Sequence, residues 1–393
     1  VEKTVDSEKL TDNREWKEVR LGDILNFRRG HDLPKKNMIH GDYPVVGSNG
    51  VIGYHNEYTT NSPCITIGRS GNVGNPHIIR QNCWAHNTTL YIDDFKNNSP
   101  EFIYYLLKTL NLGNYGGGSA VPTLNRNHIH PIEINFPKNI KEQQKIASIL
   151  KSLDDKIELN NQMNQTLEEM AQCIFKEWFV EFNFPNEEGV PYKDNGGEMV
   201  ELGEVCDIEK GLSYKGKHLV DEGIPMVNLG SVMPGGGYRE DKIKFYDGDF
   251  KERHQVFPGD IIIANTDMTQ DRVILGSPFI VPRFLGSKII FTHHLFSVTN
   301  FKISKSYIYN YLKDKKFREM AESCATGTTV LALPKKDVLT IGIMIPKNDI
   351  LLAFDKIISE ILKKQEQISE ENQTLIKLRD ELLPKLMSGE VRV

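Results

Sequence analysis

The chain has 393 residues, room for two to four domains at roughly 100–200 residues each, and its 39% hydrophobic content against 26% charged residues excludes wholesale disorder. With 48 Lys and Arg against 53 Asp and Glu, the net charge of −5 leaves no global field for a polyanion, so any nucleic-acid binding must come from local patches or partner chains. The five cysteines, Cys64, Cys83, Cys173, Cys206 and Cys324, are dispersed with no C-x-x-C pair, which reads as a reducing compartment with neither a disulfide framework nor a zinc cluster.

In chain order, residues 1–13 form a leader with no basic region followed by an apolar core. No later run approaches the ~18 apolar residues a membrane span needs. A cytoplasmic protein is expected. Residues 14–137 carry short β-rich runs, CITIG (64–68), TLYI (89–92) and IEINF (132–136), and a short amphipathic stretch near 101–110. Residues 138–184 read as one long helix, with Ile146, Leu150, Leu153, Ile157, Asn160, Asn164, Leu167, Ala171, Ile174 and Trp178 at alternating four- and three-residue steps, a coiled-coil seam. A linker at 185–197 follows. Residues 198–346 repeat the first pattern with DIIIA (260–264), KIIFT (288–292) and IGIMI (341–345) and an amphipathic stretch near 305–320. Residues 347–393 repeat the helix and its tail, with a seam of Phe354, Ile358, Ile361, Gln365, Ile368, Asn372, Leu375, Arg379, Leu382 and Leu386. Asn139 and Asn348, each two residues after a proline, are expected to cap these helices. Asn and Gln inside a seam cost stability but fix partner and register, because a slipped alignment leaves them unpaired.

The two halves are copies of one plan. VRLGDILNFRRG (19–30) matches VELGEVCDIEKG (200–211) at an offset of 181, whereas TTLYI (88–92) matches HHLFS (293–297) at 205, so the second copy has gained residues in its loops. GSAVPTLNRNHIHPIEINFP (118–137) matches GTTVLALPKKDVLTIGIMIP (327–346), and the tetrapeptide at 164–167 recurs at 372–375. The fold class expected is α+β: two mainly-β globular domains alternating with two long helices in an internal pseudo-two-fold repeat. A helix of about 43 residues is roughly 60 Å long, while a linker of about 14 residues spans at most roughly 50 Å. The second domain must therefore start near the far end of the first helix, and the second helix returns beside it as an antiparallel coiled coil.

Catalytic constellations fail one by one. Gly211 to His218 is one residue short of a nucleotide-binding P-loop, with His218 where a Ser or Thr would hold magnesium, and Gly223 and Pro225 preclude the long helix that must follow. Gly68, Gly71 and Gly74 run into Asn75-Pro76 instead of a helix, so they mark a tight turn or a loop whose bare backbone approaches DNA. There is no Asn/Asp-Pro-Pro-aromatic motif of an amino-methyltransferase, Glu240-Asp241-Lys242 lacks a nuclease context, and His293-His294 has no paired ligands to make a metal site. No catalytic residue and no metal ligand are assigned.

What remains is polar and loop-borne. The first domain offers Arg28, Arg29, Lys35, Lys36, Asn49, Arg69, Ser70, Asn72, Asn75, Asn87, Asn125 and Arg126; the second offers Lys210, Tyr214, Lys215, Lys217, Arg239, Asn265, Thr269, Gln270, Arg272, Lys335 and Lys336. Arg reads guanine bidentately and Asn reads adenine. Each alone reads more readily as a solvated surface residue or turn former; as loop clusters repeated in both domains they argue for DNA contact more strongly than any one of them does. Arg69 and Arg272, each on a polar loop after a β-like run, are the leading candidates.

This arrangement resembles the DNA-specificity subunit of type I restriction–modification enzymes. The resemblance spans 14–391 and rests on SILKSLDDKIELNNQMNQTLEEMA (148–171), IFKEWFVEF (174–182) and LRDELLPKLMSGEV (378–391). It implies that each globular domain is a target recognition domain for one half of a bipartite, asymmetric double-stranded DNA site. It implies that the helices set the spacer and dock two methylation subunits carrying S-adenosylmethionine, which methylate adenine, and that restriction subunits using ATP and magnesium join them. It implies no cofactor and no active site in this chain. The alternatives are a DNA methyltransferase or nuclease with its own active site, and a coiled-coil scaffold without a DNA role.

Overall fold

The structure, a computed structural model, describes residues 16–117, 122–185, 191–192, 197–268, 273–327 and 330–393. It divides into two compact units, one running to Glu158 and including Thr374–Val393, the other comprising Leu159–Gln373. Both divisions fall inside the long helices, Ile140–Phe179 and Asn348–Ser388, so each helix contributes a segment to each unit.

In the first unit the elements are β1 (Trp16–Arg20), α1 (Leu21–Ile24), β2 (Asn26–Arg29), β3 (Tyr43–Gly47), β4 (Gly50–His55), β5 (Cys64–Gly68), β6 (Pro76–Ile79), β7 (Trp84–Ala85), β8 (Thr89–Asp94), α2 (Pro100–Thr109), α3 (Arg126–Ile129) and β9 (Glu133–Pro137). The domain closes on itself through β1 and β9, which pair antiparallel from Trp16↔Pro137 to Arg20↔Glu133. A four-stranded antiparallel sheet in the order β2-β8-β5-β6 forms the main layer, and a second, three-stranded sheet has the order β4-β3-β7. The run CITIG is buried at every residue, which is why it is apolar throughout instead of alternating. Ser99 accepts a hydrogen bond from the Phe102 amide and starts α2, whose Phe102 and Leu106 join Phe27, Ile65, Ile67 and Ile92 in one core. Ile146 and Leu150 of the first long helix and Leu386 and Met387 of the second complete that core, so the two helix segments of this unit run antiparallel.

The second unit repeats the plan and explains the offset growth. Its domain closes through Glu198–Glu201 paired antiparallel with Gly342–Ile345. A four-stranded sheet in the order Asp207–Lys210, Leu295–Thr299, Ile261–Ala264, Pro278–Ile280 matches the main layer of the first. Ile224–Val227 pairs antiparallel with Lys244–Tyr246 and parallel with Ile289–Phe291, as β3 does with β4 and β7. Two further strands, Leu219–Val220 and Gln255–Val256, widen this sheet to five; the first lies where the offset is still 181, so the residues gained fall after Val227. The stretch near 305–320 is two helices, Lys305–Lys313 and Lys315–Ser323, because the Asp314 carboxylate accepts from the Lys316 amide at 2.9 Å and caps the second.

The repeated LG…G motifs have a packing reason. A Cβ on Gly30 would lie 2.1 Å from the His86 carbonyl oxygen, and one on Gly211 would lie 2.3 Å from that of Thr292, so both chains pass a backbone too closely for any side chain.

The seam positions of the two long helices differ in exposure. Ile146, Leu150, Asn160, Phe354, Ile358, Ile361, Ile368 and Asn372 are buried, and Leu153, Ile157, Asn164, Leu167 and Leu375 are half-buried. Within the second unit the Asn160 Nδ2 donates to Asn372 Oδ1 at 2.8 Å and to Glu371 Oε2 at 2.9 Å, and Asn372 Nδ2 donates to Asn161 Oδ1 at 2.9 Å. The Gln365 amide donates to the Asn164 backbone carbonyl at 3.2 Å. Phe175, Trp178 and Phe179 of the first helix meet Phe354 of the second and Tyr307, with Phe179 and Phe354 edge-on at 5.0 Å. Edge-to-face pairs add roughly 0.5–1.5 kcal/mol each beyond their buried area. Within the first unit Asp154 accepts from Arg379 at 2.9 Å and from the Tyr105 hydroxyl at 2.8 Å, tying both helix segments to α2. Asn139 caps as expected, its Oδ1 accepting from the Lys141 amide at 2.9 Å. Asn348 does not: it is already the first helical residue, and the Leu351 amide bonds to the carbonyl of Lys347. Among the described residues no helix is long and apolar enough to cross a membrane.

Candidate nucleic-acid interface

Strand alternation sorts the first basic pair. Phe27 points into the core, so its neighbours point away, and Arg28, opposite Tyr91, is taken up by the carboxylate of Asp93. Arg29, opposite Leu90, faces a cleft of about 700 Å³. Arg69 reaches the same cleft from the loop after β5. Its amide donates to the Thr88 carbonyl at 2.8 Å and its carbonyl accepts from the Leu124 amide at 2.8 Å, so the backbone under this side chain is fixed on both sides. Asn125 accepts from the Asn127 amide at 3.0 Å and opens α3, which places Arg126 and His128 on the cleft wall. Arg126 donates to the Phe27 carbonyl at 3.3 Å. Four of the residues singled out in the sequence, Arg29, Arg69, Asn125 and Arg126, thus converge from three separate segments. No carboxylate lines the cleft, and neither the Arg29 nor the Arg69 guanidinium has a partner among the described residues.

The second domain has a cleft of about 490 Å³ in which Tyr214 and Arg239 are joined by Lys244, Asn228 and His294, with walls that include Val273 and Ile274. Lys244 donates to the Tyr214 hydroxyl at 3.2 Å and lies 5.6 Å from the ring centroid. The His294 ring lies 3.9 Å from that of His293, tilted by 39°, and bonds to the Thr266 hydroxyl. Burial, then His293, Lys210 and Lys244, hold its imidazole below the ordinary histidine range. Lys244 was not singled out in the sequence, although Lys242-Ile-Lys244-Phe-Tyr246 alternates like a strand, and His294 was weighed there only as half of a metal-binding pair.

The other basic and amide residues do not converge. Lys35 and Lys36 are exposed on a short 3-10 turn; Lys210, Lys215, Lys217 and Lys336 are exposed, and Lys335 lies 3.7 Å from Glu209. Asn49, Asn72 and Asn75 are exposed on loops, Ser70 is half-buried, and Asn87 donates to Asp32. Asn265 is a correction. It is 2% exposed and its side chain donates to the His293 carbonyl at 3.0 Å, so it bridges strand ends inside the domain and reaches no ligand. Thr269, Gln270 and Arg272 lie outside the described residues. The glycine-rich turn is also built for packing: a Cβ on Gly74 would lie 2.2 Å from the Gly113 amide nitrogen and one on Gly68 1.7 Å from the Asn72 carbonyl oxygen. Close approach to DNA is not needed to explain either.

All five cysteines are free, and burial, with Asp207 adding to it, pushes the Cys206 thiol up to about 12.

The comparisons with known proteins agree with this architecture. The family model described as the type I restriction modification DNA specificity domain matches residues 13–169 and 195–379, one match on each repeat. The MjaIX specificity subunit of a type I restriction enzyme from Methanocaldococcus jannaschii is 29% identical over 318 residues, covering 75% of this chain and 69% of that one. The HindI specificity subunit from Haemophilus influenzae is 25% identical over 363 residues, covering 74% and 77%. In fold, the crystal structure of a type I restriction–modification S subunit from M. genitalium superimposes with a TM-score of 0.58 at 18% identity, covering 96% of this chain and 98% of that one. With two recognition-type domains, two long helices, and both copies matched by the same family model, the chain belongs to the type I restriction–modification DNA specificity family and is a non-catalytic specificity subunit.

Proposed function

We propose that domains 14–137 and 198–346 each read one half of a bipartite, asymmetric site on double-stranded DNA. The observation that carries this reading is the convergence of Arg29, Arg69, Asn125 and Arg126 into one cleft that, among the described residues, has no carboxylate, while Tyr214, Lys244 and Arg239 line a second cleft in the other domain, at different positions of the repeat. Two unequal clefts suit two unequal half-sites. The paired helices act as the spacer and, on their outer faces, as the docking surface for two methylation subunits. Those partners bring S-adenosylmethionine for adenine methylation, and restriction subunits bring ATP- and magnesium-dependent activity. The assembly works in the cytoplasm.

The test is a domain exchange read by methylome sequencing. Replacing 198–346 with the equivalent segment of a relative, in a host carrying the methylation subunits, should change one half of the methylated site and leave the other intact. A site altered in both halves, or methylation no longer confined to a bipartite motif, overturns the reading.

A further inference from the structure

We propose that the cleft of the first domain holds the sugar–phosphate strand of its half-site, so that Arg29, Arg69 and Arg126 set affinity and position while bases are read by the exposed loops beside it. This rests on the DNA-reading function proposed above and deepens it.

Shape is the first argument. Base edges lie on the floor of a major groove about 12 Å wide and about 8.5 Å deep, so the protein parts that read them must protrude. Arg69 does the opposite: it is half-buried in the wall of a concave space of about 700 Å³. The convex partner for such a space is the phosphate ridge of the duplex. An exposed loop lies next to the turn that carries Arg69. The tip of the β3–β4 hairpin, with Asn49 exposed, packs against the glycine turn that carries Arg69, since a Cβ on Gly71 would lie 3.1 Å from Ser48 Oγ.

Charge is the second argument. Among the described residues three guanidiniums and no carboxylate line the space, in a chain of net charge −5. A neutral base edge cannot offset the mutual repulsion of three cations, whereas consecutive phosphates can, through charge-assisted hydrogen bonds. The third argument is rigidity. Arg69 stands on a backbone bonded to Thr88 and Leu124, and Arg126 is held by the Phe27 carbonyl, so little ordering is left for the moment of binding.

The experiment uses the full chain in complex with its methylation subunits, and duplexes carrying either the site defined by methylome sequencing or a scrambled one. Affinity is measured between 50 and 200 mM salt for wild type, Arg69→Ala, Arg29→Ala and Arg69→Lys. Each alanine variant should weaken both duplexes by the same factor and lower the log–log salt slope by about 0.9, shrinking the salt-induced loss over that range by about 3.5-fold. Arg69→Lys should restore the slope, because a phosphate accepts a point charge where guanine demands the fork. A neutral methylphosphonate placed at the contacted linkage should erase the difference between wild type and Arg69→Ala. An Arg69→Ala complex that relaxes one base position at unchanged slope, with lysine failing to rescue, overturns the inference and leaves the DNA-reading function standing. Unchanged affinity and slope in both alanine variants overturns it too. A wild-type complex that binds the two duplexes equally means that the function itself is wrong.

Discussion

Two asparagines four residues apart in the same helical seam should respond to substitution with opposite sign. Asn160 is fully buried and donates to both Asn372 and the Glu371 carboxylate, at 2.8 and 2.9 Å. Replacing it with alanine removes one neutral hydrogen bond, about 1 kcal/mol, and one to a charged acceptor, about 2 kcal/mol, for a loss of about 3 kcal/mol. Asn164 has a buried side-chain oxygen with no hydrogen-bond partner among the described residues, and its contact with Gln365 runs through its backbone. Asn164→Leu therefore removes an unsatisfied acceptor and adds apolar surface to the seam, a gain of about 1 kcal/mol. Hydrogen exchange read on peptides from both long helices gives the local opening free energies without requiring the whole chain to unfold in one step. A double-mutant cycle of Asn160→Ala with Asn372→Ala should show coupling of about 1 kcal/mol. If Asn160→Ala costs less than about 0.5 kcal/mol, or Asn164→Leu destabilises as much as it does, then satisfied hydrogen bonds do not govern this seam.

Gly30→Ala and Gly211→Ala should each destabilise the domain that carries it by about 2–3 kcal/mol, because the new methyl meets a carbonyl that the sheet holds in place; a melting temperature within about 1 °C of wild type counts against this. His130 accepts the Phe27 amide through Nε2 at 3.2 Å, which requires a neutral ring, and burial, followed by Arg126 and Lys96, keeps its pKa below the ordinary 6.5. A base with a depressed folded pKa adds no pH dependence above the unfolded value; as pH falls below about 6.5 the unfolded chain protonates first, and stability is lost until the folded pKa is reached. Thermal unfolding from pH 7 to 5 should show that loss, and His130→Gln should reduce it; an equal loss in the variant assigns the effect elsewhere. Inserting four residues in both helices, after Leu159 and after Gln367, lengthens each by about 6 Å, or roughly two base pairs at 3.4 Å each. The methylated site should then show a spacer one to two pairs longer, and a folded variant with an unchanged spacer means that the helices are not the ruler.

The seam, the repeat and the β-runs were legible because each depends on a short period or on direct comparison of one half with the other. Ile146 and Phe354 announce themselves by spacing alone. The cleft was legible only in part. Arg29 and Arg69 are 40 residues apart in the chain, and nothing local says that Thr88 and Leu124 will clamp the second against the first. Strand alternation could have separated Arg28 from Arg29, but the Asp93 partner depends on the register of β2 against β8. Asn265 was misread for the same reason: the groups that tie it down, the backbone carbonyls of His293 and His294, lie 28 and 29 residues on. The break at Asp314 had a signal, an acidic cap ahead of Lys315-Lys316, that helical periodicity overrode.

The antiparallel ties, β1 with β9 and Glu198–Glu201 with Gly342–Ile345, bear on how new specificities can arise. Where the first and last strands of a domain lie side by side, the chain leaves about 4.8 Å from where it came in, whatever its interior contains. The second interior has already grown, taking the offset between matched positions from 181 at Val19 and Val200 to 205 at Thr88 and His293, and still hands over to its helix through the same kind of strand pair. Recombination with breakpoints in the two closing strands can therefore import a foreign interior of any length in a single genetic event. The phase of the helix seam stays as it was, and under the function proposed above the host would acquire a new recognition half without altering the subunits that assemble on it.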